Sequence, residues 1–247
     1  MNMENREQHE LQHGKMLADL ETETVWGWGT PAGRLRAQRR AALIAETAGL
    51  GPQQRILEIG CGTGLFTEML AASGCRLTAM DLSLELLQKA RQRNVPADRV
   101  DFIQGNFETY PFPGQYDAVI GSSVLHHLDM IKAAPILFRL IKPGGRLCFA
   151  EPNMLNPQVF LERKLSFIRP LFWYVSPDET AFVRWALRRL LEQTGFADVS
   201  IKPFDWLHPA VPSALIKTVQ AFQSVFEKLP LMREFSGSLL ISAARPS

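Results

Sequence analysis

The residues best suited to chemistry are a run of glycines flanked by carboxylates. Glu58-Ile59-Gly60-Cys61-Gly62-Thr63-Gly64 sets three glycines at alternate positions behind a glutamate, and Asp81 closes the next apolar run. Glycine lets a backbone turn tightly and come close to a ligand with no Cβ in the way. A helix opening near Leu65 would add the unpaired N–H groups of its first turn. Set between a buried strand and a helix, such a turn binds nucleotide-type cofactors. A second set, His126-His127, Glu151 and His208, comprises side chains able to take a proton from a reacting group. Cys61, Cys75 and Cys148 form no CxxC pair or Cys/His series. A bound metal is therefore not expected, and the scatter suits a reducing compartment.

The elements that must position these residues follow from periodicity. Arg34 to Gly49 reads as a helix, and Pro52 ends the connection after it. Arg55–Ile59, Leu77–Asp81, Val100–Gln104, Tyr116–Ser122 and Arg146–Glu151 read as strands. Between them Leu65–Ala72, Leu84–Arg93 with Ser83 as N-cap, and Ile131–Ile141, interrupted early by Pro135, read as helices. This alternation implies parallel strands joined by crossover helices, hence an α/β, doubly wound sheet. After Pro152 the rhythm breaks in a proline- and aromatic-rich stretch. Asp178 to Thr194 then reads as a helix closed by Gly195, and Val199–Pro203 and Ser238–Ala243 as two last strands. The expected organisation is a helical lid over residues 1–50 and a cofactor-binding domain over 51–247. Cap insertions at about 152–180 and 204–235 are too small to build their own cores.

Three details bear on the cofactor. A dinucleotide fingerprint GxGxxG wants its third glycine where Leu65 stands. Glu58 would repel a diphosphate but favours the cationic amino and sulfonium end of S-adenosylmethionine. Asp81 can accept hydrogen bonds from both ribose hydroxyls, a feature shared with NAD proteins. Taken together they favour S-adenosylmethionine.

The ordered motifs resemble those of a known family. Ile56–Thr67 (ILEIGCGTGLFT), Asp81-Leu82-Ser83, Gly105-Asn106-Phe107, Tyr116-Asp117-Ala118-Val119 running to Leu125-His126-His127-Leu128, and Ile141-Lys142-Pro143-Gly144-Gly145 look like those of class I methyltransferases. The likeness is greatest to the methyltransferase type 11 and ubiquinone/menaquinone-biosynthesis group. It spans roughly residues 50 to 152. The resemblance implies a Rossmann-like sheet of about seven strands, mostly parallel with the last antiparallel, with N-terminal helices and a helical cap. It also implies a site: Glu58, Gly60, Cys61, Gly62 and Gly64 around the methionine part, and Asp81 with Leu82 at the ribose and adenine edge. Asn106 and Phe107 would hold the adenine, and Ser122 would lie under the cofactor. The family commonly has Asp where Asn106 stands; an amide carbonyl can still accept from the adenine amino group.

On the acceptor side, Trp28, Trp173, Tyr174 and Trp206 come from segments that would fold over the strand ends and wall an apolar pocket. The expected acceptor is a small hydrophobic or aromatic molecule, methylated at O, C or N. His126 and His127 are the candidate catalytic residues. The formal charge of +2 and pI of about 8.5 mark no nucleic-acid binder. Gly121-Ser122-Ser123-Val124 stands where base methyltransferases often carry an Asp/Asn-Pro-Pro-aromatic motif. An RNA or protein methyltransferase, and a non-catalytic S-adenosylmethionine-binding partner protein, are the alternatives. A polar N-terminus and the lack of an apolar run of about 20 residues suggest a cytoplasmic protein with no transmembrane segment. The basic clusters Arg34-Arg36-Arg39-Arg40 and Arg184-Arg188-Arg189 read as solvated helix faces, with peripheral membrane contact or an anionic substrate as the functional reading. Oligomeric state is not encoded in any pattern here.

Overall fold

A computed structural model describes residues 3–164 and 181–247. Among them a seven-stranded sheet runs in the order β3-β2-β1-β4-β5-β7-β6. Its strands are β1 (Arg55–Ile59), β2 (Arg76–Asp81), β3 (Val100–Gln104), β4 (Tyr116–Ser122), β5 (Ile141–Pro152), β6 (Ala197–Phe204) and β7 (Ser238–Ala244). The pairs β2–β3, β1–β2, β1–β4 and β4–β5 are parallel, while β7 runs antiparallel to both β5 and β6. The doubly wound sheet with an antiparallel last strand is thus as expected.

The helices are α1 (Met3–Ala18), α2 (Thr22–Val25), α3 (Pro31–Ala48), α4 (Leu65–Ala71), α5 (Leu84–Ala90), α6 (Met130–Leu140), α7 (Pro157–Lys164), α8 (Arg184–Thr194) and α9 (Ile216–Phe226). Local chemistry sets their ends. Thr30 caps α3 by accepting from Gly33 N at 2.9 Å, Pro31 opens it, and Gly49 closes it in the left-handed region at φ +67°. Ser83 caps α5 through Leu86 N, as expected. On α3, Ala37, Ala41, Ile44 and Ala48 recur at helical spacing and are buried.

Alternation along the strands divides the core between the two sheet faces. Leu57, Val119, Leu147 and Phe149 pack with Leu137 of α6 and Leu187 and Leu191 of α8. Their neighbours Ile56, Ala118, Ile120 and Cys148 face Ile44 of α3 and Leu70 of α4. Two elements differ from the sequence reading. Strand β5 begins at Ile141 rather than Arg146, because Pro143-Gly144-Gly145 is carried within the strand. Helix α8 begins at Arg184; Phe182 instead bridges to Asn153, and residues 178–180 lie outside the described residues. Among the described residues no helix is long and apolar enough to cross a membrane.

Candidate active site

The chain leaves β1, moves outward to β3, then returns to β4 on the other side of β1, so the switch of direction falls between β1 and β4. Ligands of open α/β sheets bind in the crevice at that point. A cavity of about 930 Å³ opens there, walled by the carboxyl ends of β1, β2 and β4.

The glycine turn forms its floor. Gly60, Gly62 and Gly64 have φ values of +65°, +52° and +76°. A Cβ on Gly60 would lie 2.7 Å from the Cβ of Val124, and one on Gly62 would stand 3.1 Å from the Trp26 indole. The turn is held from β2: Cys61 N donates to Met80 O at 3.0 Å, and Gly62 N donates to Asp81 Oδ2 at 2.7 Å. The other Asp81 oxygen accepts from Ser83 N at 2.9 Å. Asp81 therefore brackets the two loops that follow β1 and β2, and each oxygen keeps a lone pair for a ligand. Burial raises its pKa; the Ser83 and Gly62 N–H groups and the nearby His127 pull the other way.

Gly60, Cys61, Gly62, Asp81, Leu82, Asn106, Phe107 and Ser122 all stand on the cavity wall. Glu58 and Gly64 do not. The Glu58 carboxylate is buried behind the turn, where it accepts from Thr67 Oγ1 at 2.7 Å. Desolvation raises its pKa to about 7 against that hydrogen bond. Gly64 serves packing, since a Cβ there would come within 3.0 Å of Ala90. Trp28 and Trp206 also line the cavity, whereas Trp173 and Tyr174 lie outside the described residues.

His126 and His127 occupy a short 3-10 turn after β4, and both face the cavity. His126 Nδ1 lies 2.7 Å from Glu151 Oε2. Glu151 is fully buried, and its other oxygen accepts from Val124 N and Leu125 N, both at 2.9 Å. His127 Nδ1 lies 3.0 Å from Glu10 Oε2 of α1. His208 Nδ1 accepts from Ala210 N at 3.1 Å, which places its ring proton on Nε2; burial and Arg36 favour its neutral form.

The sequence reading missed two contributions. The first is Arg40, which is not a solvated helix residue: only 3% of it is exposed. Its guanidinium donates to Ser122 Oγ at 3.2 Å, Ser123 Oγ at 2.9 Å and Ser238 Oγ, while Nε has no hydrogen-bond partner among the described residues. Desolvation and the adjacent Arg36 lower its pKa to about 10. Arg36 is engaged by Asp205 at 2.7 Å, and Arg39 pairs with Glu227 at 2.6 Å. Helical spacing alone cannot separate these arginines from surface ones, since their acidic partners lie far along the chain. The second is α1, whose polar sequence gave no packing signal. Its Glu7 accepts from Asn106 Nδ2 at 2.9 Å, and Glu7, Glu10 and Gly14 stand on the cavity wall.

The strand order, the positive-φ turn and the carboxylate at the end of β2 define the fold of class I S-adenosylmethionine-dependent methyltransferases. Within that class, residues 57–149 match the family described as "Methyltransferase domain". A ubiquinone biosynthesis O-methyltransferase of Klebsiella pneumoniae is 34% identical over 118 residues, 46% of this chain and 49% of that protein. A demethylmenaquinone methyltransferase of Renibacterium salmoninarum is 36% identical over 121 residues, 48% of this chain and 49% of its own. The chain thus spans about half the length of the curated relatives it matches. Among solved structures, the N-methyltransferase NodS of Bradyrhizobium japonicum, in complex with S-adenosyl-L-homocysteine, superposes with a TM-score of 0.64 at 19% identity. That match covers 96% of this chain and 98% of NodS.

Proposed function

We propose that the chain is an enzyme that transfers a methyl group from S-adenosylmethionine to a small acceptor. The observation that carries this reading is Asp81, whose carboxylate ties the glycine turn to the start of the next loop and faces the cavity. The residues present fit the cofactor at each end. The two ribose hydroxyls have the Asp81 oxygens as acceptors. The carboxylate of the methionine part has the buried cation Arg40, whose orphaned Nε calls for an acceptor. Gly60 and Gly62 leave the space that a Cβ would fill. Asn106 and Phe107, on the cavity wall, would hold the adenine, and Leu82 and Ser122 line the same cavity. Glu58 acts from behind the turn through its charge.

S-adenosylmethionine, when bound, supplies a methyl carbon activated by a sulfonium. What the protein adds is alignment of the nucleophile with that carbon and exclusion of water. Trp28 and Trp206 give the acceptor side an aromatic wall, and His126 and His127 line the same cavity. Residues 1–50 act as the lid over the cofactor domain at 51–247: α1 reaches Asn106 and His127 across the opening. The inserted segment at about 204–235 closes the acceptor side through Trp206 and Leu207, as do Asn156 and Pro157 from the described part of the earlier one. Curated relatives named for ubiquinone biosynthesis and for demethylmenaquinone support a small aromatic acceptor over RNA or protein. The free, buried Cys61, Cys75 and Cys148 support a reducing, cytoplasmic setting.

Labelled-methyl transfer to a panel of phenols, quinols and amines tests this, with Asp81→Ala as control. Transfer by the natural chain and its loss in the variant are expected. Tight cofactor binding without transfer to any acceptor would favour the binding-partner reading instead.

A further inference from the structure

We infer that Glu151 fixes the tautomer of His126 so that this histidine takes the proton of a phenolic hydroxyl on the methyl acceptor, an assignment that rests on the methyl-transfer reading above. Glu151 is fully buried, and every bond it makes points one way. Its Oε1 accepts from two backbone N–H groups, of Val124 and Leu125, at 2.9 Å each. Its Oε2 lies 2.7 Å from His126 Nδ1. A carboxylate that already receives two N–H groups is an acceptor for the imidazole too, so Nδ1 carries the proton and Nε2 carries the lone pair. This is the relation by which a buried carboxylate orients a catalytic imidazole in acyl-transfer enzymes.

The neighbouring groups leave this role to His126. His208 accepts at Nδ1 from Ala210 N, so its Nε2 bears hydrogen and acts as a donor. His127, whose ring lies 4.2 Å from that of His126 and is tilted by 38° to it, is tied to Glu10 of α1. Arg40 is directed at Ser122 and Ser123 at the end of β4. His126 stands on the cavity wall, where the hydroxyl of an entering acceptor would bond Nε2.

The class of hydroxyl follows from proton affinity. A phenol ionises near pH 10 and an imidazolium near 6.5, about 3 to 4 units apart, a gap that methyl transfer can close; an aliphatic alcohol lies far outside it. Trp28 and Trp206 supply flat apolar faces for the ring. In the step, the acceptor O–H bond breaks with its proton passing to Nε2. The oxygen pair forms the bond to the methyl carbon, and the carbon–sulfur pair stays on sulfur, leaving a neutral thioether. The imidazolium then returns its proton to water.

Glu151→Gln tests the assignment with little change of shape. The amide oxygen still accepts from Val124 and Leu125, but the amide NH₂ now faces Nδ1 and reverses the tautomer. ¹⁵N NMR of the histidine rings reads this directly: Nδ1–H in the natural chain, Nε2–H in the variant. A second readout is the absorbance of 4-nitrocatechol added to the S-adenosylhomocysteine complex, below the pH at which the free phenol ionises. The bound phenol is expected as phenolate in the natural chain and neutral in Glu151→Gln. Methyl transfer to a catechol should fall by about 100-fold or more while S-adenosylhomocysteine affinity is unchanged. Should Glu151→Gln fail to fold, His126→Gln is expected to lose the phenolate band in the same way. An unchanged tautomer or an unchanged band in the variants overturns the assignment, and failure of 4-nitrocatechol to bind overturns the phenol class; either leaves the methyl-transfer reading standing if S-adenosylhomocysteine binds. If it does not bind the natural chain, that reading itself fails.

Discussion

Glu58 offers the sharpest test of how the site is built. Its carboxyl is buried behind the glycine turn with Thr67 Oγ1 at 2.7 Å and, among the described residues, no cation in hydrogen-bond contact. Desolvation raises its pKa from 4.5 to about 7, with Asp81 adding to the rise. At 1.36 kcal/mol per tenfold change in proton affinity, the rise from 4.5 to about 7 amounts to about 3 kcal/mol. The sign follows from proton binding. Between pH 4.5 and 7 the folded chain holds a proton that the unfolded chain has released, so stability falls as pH rises through this window. Below it the group contributes no penalty; above it the penalty is complete. Glu58→Gln has no proton to lose. Its stability relative to the natural chain should therefore be near zero at the acid end and rise to about 3 kcal/mol in its favour at pH 8. Urea unfolding of both proteins across this range measures the difference, in which all other titrations cancel. A cationic ligand next to the turn favours the charged form, so S-adenosylmethionine should expel the proton near pH 6. Calorimetry in buffers of different ionisation enthalpy would detect that release in the natural chain and not in Glu58→Gln. A stability difference that does not vary with pH would mean that Glu58 does not fold with its carboxyl protonated.

Gly60→Ala forces a Cβ onto Val124 at φ +65° and should destabilise the chain by about 1–3 kcal/mol in urea, with S-adenosylhomocysteine binding lost in the folded fraction. Arg40→Met removes the buried cation while Arg36 still satisfies Asp205; stability should change by less than about 2 kcal/mol, whereas cofactor affinity, read by calorimetry, should fall about tenfold or more. Glu7→Ala releases Asn106 from α1 and should speed S-adenosylhomocysteine release about fivefold in stopped flow, from the loss of one charge-assisted hydrogen bond on a partly exposed helix.

The sheet was legible because its strands are short apolar runs whose neighbours alternate between two buried faces, as Ile56 and Leu57 do. The glycine turn was legible for a similar reason: left-handed residues at three alternate positions are supplied at low cost only by glycine. What the sequence concealed was set by partners distant in the chain. Arg40 looks like its neighbours on α3 until β4 and β7 close over it with Ser122, Ser123 and Ser238. Glu58 was legible as a carboxylate beside the cofactor turn, but not as one turned away from the cavity toward Thr67. Asp205, held at φ +79° in a loop, gave no pattern that joined it to Arg36. The polar helix α1 has too weak an apolar stripe to announce that it packs over Asn106.

Titration of the natural chain with S-adenosylhomocysteine, beside NADH and NADPH, and repeated on Asp81→Ala, tests the central claim most directly. Saturable binding of S-adenosylhomocysteine alone is expected, lost in Asp81→Ala while the variant stays folded. Binding of a dinucleotide in its place, or equal affinity of the two proteins for S-adenosylhomocysteine, would contradict it.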